Sequence, residues 1–137
     1  MGIPDAVMRS PDAGVRSLDI PSRPRWVPTG IMMKRGERYR LRASGQWKDL
    51  HILSGPEGYP SPNLLLKATE WLRRAPHQDW FALIGGFDSD ETSLFPIGSG
   101  CDLEVPRDGE LCCFANDVWF TYWNNSGAVT LTVTRLE

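Results

Sequence analysis

The chain has 137 residues, a usual length for one compact domain. Its 15 basic and 17 acidic residues give a net charge of −2, so we expect no general attraction to nucleic acid. No run of the sequence approaches 18 apolar residues, and we therefore expect no membrane-spanning helix.

The N-terminal segment, residues 1–22, is rich in proline and aspartate and has few apolar residues, which predicts an irregular arm. It lacks the apolar core of a secretory leader. Cytoplasmic residence is therefore the default expectation, and secretion by a non-classical route is left open. We assign residues 23–137 to a single domain.

Short segments with strand patterns follow, divided by 13 Gly and 11 Pro. Residues 38–43 alternate between arginine and smaller or apolar side chains, the period-2 pattern of a half-buried strand, and residues 129–134 alternate likewise. The following side chains are expected to face the core: Tyr39, Leu41, Val129, Leu131 and Val133. Strands are also predicted at 80–87, 94–97, 111–115 and 128–136. Short strands separated by turn residues predict an all-β fold, an antiparallel β-sandwich of jelly-roll type.

One segment departs from the strand pattern. Residues 64–74 place apolar side chains near helical spacing, after Pro62 and Asn63 as a plausible start. We predict at most one short helix there.

The three cysteines do not form a zinc signature. Cys112 and Cys113 are adjacent and point to opposite faces of a strand, so they cannot both bind one ion. They are interpreted as small apolar residues in strands, and a disulfide from Cys101 to either one is left open.

The segment 116–127 concentrates polar and aromatic side chains between two predicted strands. Asp117 supplies a carboxylate, Asn124 and Asn125 supply amide oxygens, and the backbone carbonyl of Thr121 can face the same point. Calcium takes six to eight such oxygens, and hydroxyls of a ligand could fill the remaining positions. The alternative is an ordinary turn in which Asn and Asp bond their own backbone.

This loop resembles part of a known protein family. The order Asn116-Asp117-Val118, Thr121-Tyr122, then Asn124-Asn125-Ser126-Gly127 before an alternating strand resembles the PA-IL (LecA-type) calcium-dependent galactose-binding lectins. Weaker similarity extends over about residues 24–136. The resemblance implies a lectin-like, galactose-binding-domain-like β-sandwich with Ca²⁺ as cofactor and a galactose-type sugar or glycoconjugate as partner. Whether the chain forms a homo-oligomer is left open.

The resemblance also implies the site residues. A further calcium ligand comes from the position of Asp49, where the family uses a backbone carbonyl and an aspartate could add its carboxylate. The implied calcium ligands are Asp49, Asp117, Thr121, Asn124 and Asn125. The implied sugar contacts in the loop are Asp117, Val118, Thr121 and Asn124.

The chain departs from the family at the expected sugar contacts. The His and Gln of the family fall on Ala68 and Trp71 in a gapless count, and His77 and Gln78 could substitute for them by a different loop path. Trp119 and Trp123 stand where the family has small residues, so their indoles either form a sugar platform or close the site. Trp71, Trp119 and Trp123 are therefore candidate exposed contacts; Trp26, Trp47 and Trp80 are assigned to the core.

Enzyme motifs are missing from the sequence. It contains no Gly-x-Ser-x-Gly, His-Glu-x-x-His, P-loop or dinucleotide-binding glycine pattern, and we expect no enzyme. Two function classes remain. One is a calcium-dependent carbohydrate-binding domain, and the other is a structural or protein-interaction β-sandwich in which Trp119 and Trp123 block the sugar site.

Overall fold

The computed structural model describes residues 14–136, which fold into two antiparallel sheets packed face to face. The strands are β1 (Val15–Pro21), β2 (Val27–Met33), β3 (Arg38–Asp49), β4 (Ile52–Ser54), β5 (Leu83–Phe87), β6 (Phe95–Pro96), β7 (Gly100–Glu104), β8 (Gly109–Ala115) and β9 (Asn125–Arg135). One sheet has the order β1-β9-β3-β4, with β7 also paired to β3, and the other has the order β2-β8-β5-β6. The predicted antiparallel β-sandwich is confirmed.

The core lies between the sheets, where the alternation of the sequence places it. The five side chains predicted to face inward are at most 6% exposed: Tyr39, Leu41, Val129, Leu131 and Val133. They pack against side chains of the opposite sheet such as Phe87 and Leu111. Burial of these apolar surfaces is the main stabilising contribution to the fold.

Helical structure is confined to short pieces. Helix α1 (Leu64–Ala68) begins after Asn63, whose side-chain oxygen accepts a hydrogen bond from the amide of Leu66 at 2.9 Å. A 3₁₀ turn (Glu70–Leu72) follows it, and a second (Tyr122–Asn124) precedes β9. The predicted short helix near 64–74 is confirmed, and no helix within residues 14–136 is long and apolar enough to cross a membrane.

The predicted irregular arm is wrong for residues 15–21. These residues form β1, and each is paired with a residue of β9. The sequence signal was weak because β1 is an edge strand in which Ile20 is the one buried residue. Residues 1–13 of the predicted arm lie outside the described part of the chain.

The predicted strand at 80–87 is shorter in the structure. It begins at Leu83, because Phe81 adopts a left-handed backbone conformation with φ of 61° that interrupts an extended strand. All five residues of β5 are buried, which explains the continuous apolar run. The three cysteines are free thiols, so the disulfide left open from the sequence does not form.

Candidate functional site

The predicted cation ligands meet at one end of the sandwich, where β3 ends and β9 begins. Asp49 is the last residue of β3 and lies directly opposite Asn125, the first residue of β9. Side chains two residues apart on a strand share a face, so Asp49 lies on the face of the fully buried Trp47. Asn125 is only 2% exposed. An aspartate and an asparagine are thus paired on the inward face of the sheet.

Asp117 approaches this pair from the loop between β8 and β9. Its Oδ1 atom accepts hydrogen bonds from the amide of Val118 at 2.8 Å and from the hydroxyl of Thr121 at 2.9 Å. The amide of Arg74 donates to the backbone carbonyl of Asp117 at 3.1 Å. The two bonds to the side chain hold Oδ1, whereas Oδ2 accepts no hydrogen bond from the described residues.

Asn124 is held by the neighbouring hairpin. The amide of Leu50, in the two-residue turn between β3 and β4, donates to the backbone carbonyl of Asn124 at 3.1 Å. Leu50 has φ of 59°, a left-handed conformation that non-glycine residues adopt at a cost. The backbone strain is therefore located where the hairpin meets the predicted cation loop.

Three side-chain oxygens at this end of the sandwich are buried without a hydrogen-bond partner among the described residues. They are Oδ2 of Asp117, Oδ1 of Asn124 and Oδ1 of Asn125. The remaining atom of this kind between residues 14 and 136 is a donor, Nε of Arg73. A buried polar atom left unpaired costs about 1–3 kcal/mol, and such atoms are rare in native proteins. All three are acceptors, and all three belong to residues predicted from the sequence as cation ligands.

The orientation of the Asn125 amide follows from its other contact. Its Nδ2 atom donates to the backbone carbonyl of Ser22 at 3.0 Å. A carbonyl can only accept, so the nitrogen must face Ser22 and the oxygen must face the opposite way. Ser22 is itself fixed, because its amide donates to the carbonyl of Gly127 at 3.0 Å. No motif in the sequence marks the segment after β1 as one that orients a site residue.

The electrostatic environment of Asp117 is unfavourable for a carboxylate without a counter-ion. Its side chain is buried, with the residue 4% exposed. Desolvation first, and the negative charge of Asp49 second, raise the pKa of Asp117 to about 6, although the bonds from Val118 and Thr121 and the neighbouring side-chain amide of Asn125 oppose the shift. Within residues 14–136, no cationic side chain forms an ion pair with Asp117.

A cleft of about 310 Å³ lies beside Asp117. Its polar side is formed by Asp49, Asp117, Thr121 and Asn124. The rest of the lining is mainly apolar and consists of Leu65, Leu66, Leu72, Trp80, Val118 and Phe120, together with Thr69. The helix after Asn63 thus contributes one wall, which sequence reasoning missed because the wall comes from a segment about fifty residues before the loop.

The structure does not bring every predicted sugar contact to this cleft. Val118 lines it, but Trp71, His77, Trp119 and Trp123 are not among the described residues that do. Trp71 and Trp123 are 73% and 70% exposed and Trp119 is 46% exposed. His77 is exposed and lines two other depressions, beside Gln78. Of the three tryptophans assigned to the core, Trp47 and Trp80 are buried, and Trp26 is partly buried.

The oxygen donors at this end of the sandwich fit a hard cation. Asp49 and Asp117 offer two carboxylates, Asn124 and the adjoining Asn125 offer two carboxamide oxygens, and Thr121 offers a backbone carbonyl, which are the ligand types that Ca²⁺ prefers. The Thr121 carbonyl accepts one long hydrogen bond, from the amide of Asn124 at 3.4 Å. No group of three or more His, Cys, Asp and Glu side chains in the described residues could hold a metal ion, so a cation here would rely on amide and carbonyl oxygens.

Comparison with known proteins identifies the fold. The chain is similar in structure to a domain described as the EclA N-terminal domain, a PllA-like lectin, with a TM-score of 0.67 and 20% sequence identity. The similarity covers 90% of this chain and 98% of that domain. No protein-family model and no curated protein sequence matches the chain. The lectin-like fold that the resemblance implied is therefore confirmed, whereas membership of the PA-IL family stays a prediction.

Proposed function

We propose that this chain is a calcium-dependent carbohydrate-binding domain that recognises galactose-type hexoses through cation-bound hydroxyls. The observation that carries the proposal is the set of three buried, unpaired oxygens on Asp117, Asn124 and Asn125. The likeness of the fold to a lectin domain supports the same assignment.

The charge of the cleft favours a divalent cation over a structural turn. In an ordinary Asx turn, the side-chain oxygens accept bonds from nearby backbone amides. Here only Oδ1 of Asp117 does so, through Val118, while Oδ2 of Asp117 and the side-chain oxygens of Asn124 and Asn125 stay unpaired among the described residues. Two carboxylates, on Asp49 and Asp117, would balance the charge of one Ca²⁺, which supplies the Lewis acidity that hydroxyl binding needs.

The shape of the cleft favours a ligand with both hydroxyls and an apolar face. Asp117 and Asn124 can hydrogen-bond hydroxyls at the polar side. Leu72 and Trp80 on the other side can contact the C–H face of a sugar ring. Since binding and cation are coupled through the same oxygens, removal of calcium should remove sugar binding as well.

A second candidate function is a protein-interaction domain without sugar binding. It is favoured by large apolar side chains that are exposed outside the cleft, Leu64 at 83%, Trp71 at 73% and Trp123 at 70%. Apolar side chains exposed to this extent are available to contact a protein partner. Blocking of the cleft by the indoles of Trp119 and Trp123 receives no support, because neither side chain lines it.

A glycan array, probed in calcium and again in chelator, tests the proposal. We expect a signal from galactose-terminated glycans that chelator and Asp117→Ala both abolish. Asp102→Ala is the matched control, because this exposed carboxylate on β7 pairs with Arg40 away from the cleft. Silence towards every glycan in saturating calcium would overturn the sugar assignment, and binding that survives chelation would overturn the calcium dependence.

A further inference from the structure

A tyrosine outside the predicted ligand set contacts one of the two carboxylates. The hydroxyl of Tyr59 donates a hydrogen bond to Oδ2 of Asp49 at 2.6 Å. The other oxygen of Asp49 accepts no hydrogen bond from the described residues and belongs to a side chain that lines the cleft. The tyrosine therefore occupies one side of the carboxylate and leaves the other side for a ligand.

Tyr59 is rigidly placed. Its amide and carbonyl exchange hydrogen bonds with the carbonyl and amide of Trp80 at 2.9 and 3.1 Å. Gly58 has φ of 82°, and a Cβ atom there would lie 2.6 Å from the carbonyl oxygen of Trp80. The ring of Tyr59 also packs near Phe81, with ring centroids 6.4 Å apart. A loop clamped this closely presents its hydroxyl in one position.

The hydroxyl remains a donor in this environment. The oxygens of an ionised carboxylate can only accept, so the phenol of Tyr59 is the donor, and such a bond is stronger than one between neutral groups. Without it, the like charges of Asp49 and Asp117 would favour turning Asp49 towards solvent.

We propose that Tyr59 is a positioning residue that holds the Asp49 carboxylate towards a divalent cation bound at Asp117. This inference rests on the proposed cation site and extends it. The position of the second carboxylate of the site, that of Asp49, then depends on the hydrogen bond from Tyr59. Hydrogen-bond partners of metal-ligating carboxylates commonly tune affinity by about 10–100-fold.

Titration of the chelator-stripped protein with terbium, followed by competition with calcium, measures the effect. Trp80 lines the cleft and can sensitise terbium emission, so the signal reports occupancy of this site. Tyr59→Phe should weaken terbium and calcium binding by about 10–100-fold. Its melting temperature in chelator is recorded in parallel, so that a loss of folding is separated from a loss of affinity.

A double-mutant cycle shows whether the tyrosine acts through the aspartate. Asp49→Asn should weaken binding by itself, and Tyr59→Phe should cause little further loss in the Asp49→Asn background, because the two residues act as one unit. Tyr39→Phe is the matched control, since its hydroxyl donates to Oε1 of Glu37 at 2.9 Å far along β3 from the cleft. This control should leave calcium affinity unchanged.

Each outcome separates the two proposals. A wild-type protein that binds neither terbium nor calcium overturns the cation site itself. A wild type that binds while Tyr59→Phe binds equally well overturns only the role of Tyr59. If Tyr59→Phe does not fold, Asp49→Asn decides, because unchanged affinity in that variant would leave Tyr59 no ligand to position.

Discussion

Arg74 and Asp117 carry two buried charges that lie next to each other at one end of this sandwich, and the surroundings of the two side chains differ. Arg74 forms an ion pair with Glu91 and donates to the hydroxyl of Tyr122 and the carbonyl of Arg25. Its guanidinium also stacks over Phe114, with the Cζ atom 3.4 Å from the ring centroid. We call Arg74, Glu91 and Tyr122 the arginine cluster.

The cleft of the proposed cation site, here called the cation cleft, is lined by Asp49, Asp117, Thr121 and Asn124, with Asn125 beside Asp49, and no cationic side chain of the described residues forms an ion pair with Asp117. Acceptors on three of these residues are unpaired and the pKa of Asp117 is raised to about 6. The amide of Arg74 contacts the backbone of Asp117, yet the guanidinium is engaged elsewhere. The fold thus surrounds the charge of Arg74 with partners, whereas the carboxylate of Asp117 keeps one oxygen without a hydrogen-bond partner among the described residues, as the proposed cation site requires.

The largest effect on stability is expected from the arginine cluster. Arg74→Met keeps much of the apolar stem but removes the ion pair with Glu91 and the stacking on Phe114. Since Glu91 is half-exposed, the cost comes from the joint loss of this ion pair, of the hydrogen bonds to Tyr122 and Arg25 and of the ring stacking, and it should lower the free energy of unfolding by about 3 kcal/mol. Urea denaturation in chelator measures it. If the arginine cluster is structural, the calcium affinity of the folded variant stays close to that of the wild type. A large loss of calcium affinity would show that Arg74 contributes to the cation site.

In the cation cleft, by contrast, we expect a substitution that raises stability in chelator. Asp117→Asn removes a buried charge while its side-chain oxygen can still accept from Val118 and Thr121. A pKa raised from 3.8 to about 6 corresponds to about 3 kcal/mol at neutral pH. The variant should therefore be more stable than the wild type in chelator by up to this amount, and it should lose calcium binding. A destabilised variant in chelator would argue that Asp117 is a structural residue.

The stability gained by Asp117→Asn in chelator should depend on pH. The folded pKa of Asp117 lies above its unfolded value, so ionisation disfavours the folded state. The penalty is absent below about pH 4, grows between pH 4 and 6 and is constant above pH 6. The stability difference between Asp117→Asn and the wild type in chelator should follow this course, which thermal melts at several pH values record. A difference independent of pH would exclude the charge as its cause.

The smallest effects are expected for predicted contacts that lie outside the cleft. His77→Ala and Trp123→Ala change exposed side chains that do not line it, so stability should stay within about 0.5 kcal/mol of the wild type. Calcium affinity and glycan affinity by calorimetry should also be little changed. Leu72→Ala, in the cleft wall, should weaken glycan binding. A strong loss of sugar affinity in Trp123→Ala would instead indicate that the indole of Trp123 contacts the sugar.

The sequence predicted those parts of the molecule that depend on local patterns. Alternation identified the inward faces of β3 and β9, and the residue order of the 116–127 loop indicated the donors that the structure leaves unpaired. The parts it missed depend on distant contacts. Ser22 orients Asn125, Tyr59 contacts Asp49, and Leu65 lines the cleft, yet no local pattern marks these residues as neighbours of the loop.

Thermal unfolding of the wild type in calcium and then in chelator tests the central claim most directly. A cation that binds only the folded state should stabilise it by about 2.7 kcal/mol at a hundredfold excess over its dissociation constant. We predict a clearly higher midpoint in calcium, and no such shift for Asp117→Asn. Equal midpoints for the wild type in calcium and in chelator would contradict the account, and the unpaired oxygens at Asp117, Asn124 and Asn125 would then require another explanation.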